Sequence, residues 1–341
     1  APQQTAQGSL GSVTEESQIL PIPDGSGKYI LKSSGFYCLN EDGTRENAPA
    51  VHYFDHFVID GTVFDGYYYH DENGKFAAGN PHIVQIRNLT APTEDGSGAE
   101  VSFDGCYMVN NLGKLSASPQ VRYMDNLVVD KTTYNGLYYF DQYGEQVKGR
   151  FASDNRYYDE NGKQVDFGTN CYFELNGEWY YAGNDGAILK GPQTIDGVKV
   201  YFNQGGVQVK GYFVKDSTDN NERYYDKDSG ALVTNAFKEI LTYIGRDDIN
   251  NQNVYTTAWY YLDADGKPLT GPQTFGNSRF YFLPNGAQVK GRFAPDGHYY
   301  DKDSGALVTD SFVHVYNWNY QNQDGNRVNH FVITIPNNSV V

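Results

Sequence analysis

"YFNQGGVQVKGYF", residues 201–213, decides how this chain is read, because the same string returns twice. The relatives within the chain are "YYFDQYGEQVKGRF" (138–151) and "FYFLPNGAQVKGRF" (280–293). Each holds an aromatic pair, a polar turn containing Gly, then Gln-Val-Lys-Gly and another aromatic. Two short strands around a Gly-containing turn read as a β-hairpin. Working outward, hairpins of this kind recur every 20 residues or so, from Lys28 to Phe331. A longer period is superimposed: Gln-Val-Lys-Gly begins at 146, 208 and 288, and "YYD" follows at 157–159, 224–226 and 299–301. That spacing fits three hairpins per super-repeat, with super-repeats near 28–90, 100–168, 169–238 and 255–315. An insertion, "EILTYIGRDDINNQNVYTTA" (239–258), lengthens the last interval.

A lone two-stranded hairpin is marginal in water. Stacking each hairpin on its neighbour's aromatic face removes that difficulty. The expected fold class is therefore all-β, an elongated β-solenoid of stacked hairpin repeats. Composition agrees: 30 Tyr, 19 Phe and 37 Gly, with 2 Met and 3 Trp, suit many short strands and turns. A hydrophobic fraction of 39% argues against one thick core. Only Ala236–Ile244, "AFKEILTYI", reads as a candidate helix. By segment, 1–24 reads as a linker, 25–130 as divergent hairpins, 131–335 as well-formed repeats and 336–341 as a tail.

The net charge of −16 argues against a nucleic-acid partner, which needs fields of Lys and Arg. No apolar run approaches the roughly 20 residues of a membrane span, so no membrane insertion is expected. No signal peptide opens the chain, which reads as mature protein or a fragment. Cys38, Cys106 and Cys171 each adjoin a Tyr. They read as small buried side chains at equivalent repeat positions, with spacing that offers neither a disulfide framework nor a metal site.

For the site, a four-residue loop Asn203–Gly206 places Tyr201 opposite Gln208, with Lys210 on the same face. The same rule groups Tyr139 with Gln146 and Lys148, and Tyr281 with Gln288 and Lys290. A ring for the C–H face of a pyranose, an amide and an ammonium make a sugar site. The alternative has Tyr packed on the next hairpin while Gln and Lys are solvated. Other hairpins act as controls. Ile188 takes the Gln place in "WYYAGNDGAILKG" (179–191), Pro268 and Thr270 take both places in "WYYLDADGKPLTG" (259–271), and Phe76 and Ala78 do so in "YYYHDENGKFAAG" (67–79). Folding therefore does not require the Gln and Lys, and the first super-repeat is expected to be structural or weakly binding.

The strings "GPQTIDGVKVYFNQGGVQVKGYF" (191–213), "YYDKDSGALVTNAF" (224–237), "GPQTFGNSRFYFLPNGAQVKGRF" (271–293) and "YYDKDSGALVTDSF" (299–312) carry a resemblance. They resemble the glucan-binding repeat domain of bacterial glucansucrases and glucan-binding proteins. That domain belongs to the wider cell-wall-binding repeats, which include choline-binding modules. The resemblance is specific over 130–315 and weak over 28–130. It implies a non-catalytic, secreted or cell-surface β-solenoid that binds dextran-like α-glucan through pockets lined by an aromatic, a Gln and a Lys, with no cofactor.

Rival readings are choline or teichoic-acid binding, protein–protein adhesion through exposed Tyr, and catalysis. A quaternary ammonium wants an aromatic cage, preferably of Trp; only Trp179, Trp259 and Trp318 exist, and a neighbouring Lys repels a cation. Against catalysis, the acidic residues lie mostly in turns and the seven His are scattered. "DKDSGA" at 226–231 and 301–306 starts like a calcium loop, but Phe237 and Phe312 occupy the place of the required Glu. It reads as a turn.

Overall fold

The structure is a computed structural model that describes residues 18–76, 82–115, 118–216, 219–247, 252–315 and 331–335. Among these residues all regular structure is β-strand, paired antiparallel. Gln18–Pro21, Tyr29–Lys32 and Phe36–Leu39 form a three-stranded sheet, and the other sheets are two-stranded. The hairpin repeat is thus seen directly, whereas among the described residues no sheet runs unbroken from hairpin to hairpin. By its contacts the chain divides into Ala1–Gly168 and Thr169–Val341, a boundary at 168/169 where the repeat quality suggested 130/131.

Three local readings change. The segment 1–24 holds the strand Gln18–Pro21; residues 1–17 lie outside the described residues, as do 248–251 of the insertion, Trp318 and the tail 336–341. The candidate helix at 236–244 is part of the strand Ala236–Asp247, paired with Gln252–Leu262. Nine residues are too few for a stable helix, and Phe, Ile, Thr and Tyr suit a pleated ribbon. The cysteines are not equivalent either: the carbonyl of Cys106 takes the place held in an earlier hairpin by that of Phe36, not of Cys38.

The strand pairs close on tight turns that the sequence reading passed over. Gly191–Ile195 pairs with Val198–Phe202, Ile195 facing Val198 across Asp196–Gly197. Both turn residues have positive φ, 50° and 80°, the geometry that suits the twist of a two-residue hairpin. The turn in "NQGGV" is a second one. Asn203 Oδ1 accepts the N–H of Gly205 at 2.9 Å and of Val207 at 3.0 Å, and Asn203 N–H donates to Val207 O at 2.8 Å. Five residues, 203–207, are enclosed rather than four. Phe202 therefore faces Gln208, and Tyr201 O accepts from Val209 N–H at 2.8 Å.

The residue after this turn bonds backwards. Gln208 N–H donates to Trp179 O and Gln288 N–H to Trp259 O, both at 2.7 Å. The same bond joins Leu232 to Lys199 and Leu307 to Arg279. In the first unit it joins Phe76 to Phe36, Leu115 to Tyr67, Gln146 to Cys106 and Gln164 to Leu137. One sequence-blind backbone bond ties a hairpin to its predecessor. Apolar burial accordingly falls into separate small clusters, such as Ile195, Val200 and Phe202, instead of one core.

Candidate functional site

The enlarged turn shifts the register by one residue, and that displaces the tyrosines. Tyr201 packs with Val209 and Tyr225, its ring 5.8 Å from the Tyr225 ring. Tyr139 packs with Val147, Ala152 and Tyr158, and its hydroxyl meets that of Ser153. Tyr281 lies against Val289, Ala294 and Tyr300. Successive side chains alternate faces, so Gln208 and Lys210 point away from the side that Tyr201 and Val209 share. The expected grouping of Tyr139, Tyr201 and Tyr281 with the Gln–Lys pairs is corrected on this ground. These rings hold hairpins together.

What Gln208 and Lys210 meet instead is the hairpin before them. The bond from Gln208 N–H lays its strand beside Glu178–Ala182, which brings Lys210 Nζ to 5.5 Å from the Trp179 ring centroid. Lys290 Nζ stands 5.0 Å from the Trp259 ring. The hairpin after them closes the other side. Gln208 Nε2 donates to Ser229 O and Lys210 Nζ to Asp228 O, both at 3.4 Å. Gln288 Nε2 donates to Ser304 O at 3.4 Å and Lys290 Nζ to Asp303 O at 2.8 Å. The turn glycine there is closely covered: a Cβ on Gly230 or Gly305 would stand 2.4 or 2.3 Å from the Gln amide nitrogen, and both have positive φ, so a larger residue would be strained and would push the amide aside.

Each Trp also has a Glu opposite it on its own ribbon, Glu174 for Trp179 and Glu239 for Trp259, on the same face. The rings are 40% and 37% exposed, while Gln208 and Gln288 are buried to 7%. The result, built twice, is an open indole flanked by an ammonium, an amide, two turn carbonyls and a carboxylate.

The acidic turn residues serve the backbone. Asp226 Oδ1 accepts the N–H of Asp228 and Ser229, and Asp226 Oδ2 pairs with Lys238 Nζ at 2.7 Å. The Lys238 ammonium, with those N–H donors, holds the Asp226 carboxyl well below the usual range. Asp301 is lowered in the equivalent turn of a later hairpin, chiefly by the Ser304 N–H.

The remaining tetrapeptide is built differently. Gln146 N–H donates to Cys106 O, and Gln146 Nε2 to Asn161 O at 3.4 Å. Gly162 crowds the amide as Gly230 does. Where the others have Trp, this one has Cys106, only 1% exposed, its thiol pushed up by burial. A cleft of about 170 Å³ bounded by Gly105, Cys106, Gln146 and Lys148 results, with no ring to stack on. Trp179, Trp259 and their glutamates were missed from sequence. The signal was present: the same 29 residues separate Trp179 from Gln208 and Trp259 from Gln288.

The choline-binding repeat family matches residues 189–237 and 269–312. Over those two segments the chain is similar to choline-binding repeats. The two matched segments of this repeat chain hold Gln208–Lys210 and Gln288–Lys290, each with its Trp just ahead. Over 330 residues the chain is 32% identical to Glucosyltransferase-S of Streptococcus mutans serotype c, covering 89% of this chain and 20% of that protein. Over 309 residues it is 32% identical to Glucosyltransferase-I of Streptococcus downei, covering 86% and 18%. The chain thus spans about a fifth of the length of these curated relatives. A solved structure, choline binding protein F of Streptococcus pneumoniae with a peptidoglycan analogue, aligns over 87% of this chain and 100% of that one, at 17% identity and a TM-score of 0.38.

Proposed function

We propose that this repeat chain is a non-catalytic carbohydrate-binding module, secreted or at the bacterial cell surface. It holds a dextran-like α-glucan at Trp179–Gln208–Lys210 and at Trp259–Gln288–Lys290. The observation that carries the reading is the recurrence of one three-hairpin constellation: exposed indole, buried amide, ammonium and turn carbonyls. An indole face matches the C–H face of a pyranose. Lys, with the free donor and acceptor capacity of Gln and Glu, matches vicinal hydroxyls. The backward bond of each post-turn residue favours stacking of hairpins into a β-solenoid, which would set such sites out in a row.

One shallow site binds at about millimolar strength, near −4 kcal/mol. Two sites on one polymer raise that by about 10²–10⁴, enough to keep polymer beside a parent enzyme such as the glucosyltransferases it resembles. Choline or another cell-wall polymer is the second reading, since Trp179 and Trp259 each lie beside a Glu. Lys210 and Lys290 over the rings oppose it, because an ammonium already occupies the place a ligand cation would take.

Affinity electrophoresis separates the two. Wild type should be retarded by dextran and pass unretained over a choline resin. Trp179→Ala with Trp259→Ala should lose about 10²-fold or more in apparent affinity, while either change alone leaves weak retardation. Equal mobility of wild type with and without dextran defeats the proposal.

A further inference from the structure

Cys38, His52 and His70 come from three strands, Phe36–Leu39, Ala50–Ile59 and Thr62–His70, yet meet at one buried point in the first unit. Their exposures are 0%, 4% and 0%. One donor atom from each lies within 4.8 Å of the others, and Cys38 Sγ is 3.7 Å from His52 Nε2. The two imidazoles stack with centroids 5.2 Å apart. Each ring is held from behind. His52 Nδ1 bonds the buried carboxylate of Asp24, and His70 Nδ1 bonds the Asp71 carbonyl at 3.0 Å. A ring that donates from Nδ1 to an oxygen keeps a lone pair on Nε2. His70 Nε2 is buried and has no hydrogen-bond partner among the described residues, an arrangement folded proteins seldom leave without a use.

We propose that Cys38, His52 and His70 bind a first-row transition metal, with Zn²⁺ the ion that their donors and geometry favour. Zinc–sulfur and zinc–nitrogen bonds of about 2.3 and 2.05 Å at a tetrahedral angle put S and N about 3.5 Å apart. The observed Sγ–Nε2 separation is close to that. Asp24 behind His52 supplies the carboxylate–histidine–metal relay that orients metal ligands. Phe76, whose ring centroid lies 5.4 Å from that of His70, and Phe54 near His52 form an apolar wall, unsuited to hard cations that want oxygen. On binding, the metal replaces the Cys38 thiol proton, which leaves to solvent; no electrons move. The intervals from Cys38 to His52 and from His52 to His70 match no compact ligand motif, so only the hairpin register reveals the cluster. The ion would pin the Asp24 loop to the following hairpins, a structural role independent of the glucan reading.

The test uses the full metal-free chain. Co²⁺ titration should give one equivalent bound, with a thiolate-to-cobalt charge-transfer band that Zn²⁺ bleaches. The band should vanish in Cys38→Ser and persist in Cys106→Ser and Cys171→Ser. Asp24→Asn should weaken Zn²⁺ affinity about 10–100-fold. Wild type alone suffices to overturn the proposal, whatever the variants do to folding: no band at saturating Co²⁺ together with no Zn²⁺ retained on desalting does so. A band that survives Cys38→Ser overturns it as well.

Discussion

Gln146 and Gln208 make the same backbone bond to the hairpin before them, carry the same Lys two residues on, and crowd the same glycine in the hairpin after. They differ in whose carbonyl they bond, Cys106 for one and Trp179 for the other. The bond is indifferent to side chain, since Phe36, Tyr67, Leu137, Lys199 and Arg279 all occupy that position elsewhere. A site of the kind proposed would therefore be assembled from three consecutive hairpins. The middle one supplies amide and ammonium, the next supplies the turn, and the preceding one decides whether there is a platform. Platform chemistry can change without touching the fold, and comparing the two copies isolates it.

The largest effect tests where the tyrosines belong. Tyr201→Ala should destabilise the second unit by about 3–5 kcal/mol, the cost of emptying a buried aromatic site, read from urea denaturation. Tyr201→Phe keeps the ring and should leave dextran retardation intact. A folded Tyr201→Phe that no longer binds would return the hydroxyl to the site and break the assignment to Trp179.

A smaller effect sharpens the comparison itself. Gln208→Leu should weaken dextran binding about tenfold, the loss of roughly one polar contact to the ligand, with little change in melting temperature. Gln146→Leu should change the affinity by less than a factor of about two. Equal losses from both would mean that the indole is not what distinguishes a working copy.

The hairpins were legible in the sequence because aromatic runs and Gly turns are local signals. Asp and Asn as turn caps were legible for the same reason. The register was not. Asn203 draws the N–H of Val207 into its turn, so an apolar residue that reads as strand belongs to the loop, and every side chain after it changes face. Asp196–Gly197, the turn that closes the strand pair, stands in "TIDGVK" as an ordinary two-residue hairpin signal, ahead of the repeated tetrapeptide. Trp179 was hidden by distance: its partnership with Gln208 exists only after two hairpins have been laid side by side. Cys38, His52 and His70 were hidden in the same way, through ribbon register that brings separated positions together.

The smallest effect concerns the turn that closes over Gln208. The Asp226 carboxyl lies below its ordinary value first because of Lys238, then because of the turn N–H groups. A carboxyl lowered in the folded state stabilises most above the unfolded value of about 3.9, and that stabilisation fades as pH falls through the folded value. The ion pair is partly exposed, Lys238 at 38%, so solvent screening limits it to about 1 kcal/mol or less. Urea midpoints of wild type and Lys238→Met should therefore differ at pH 6, and the difference should shrink as pH falls to 3 and below. A gap of constant size would mean that Lys238 acts through its aliphatic stem and not its charge. The turn over Gln208 would then be held by its own N–H donors, as the Asp159 turn beside Gln146 is, and on this point the two copies would no longer differ.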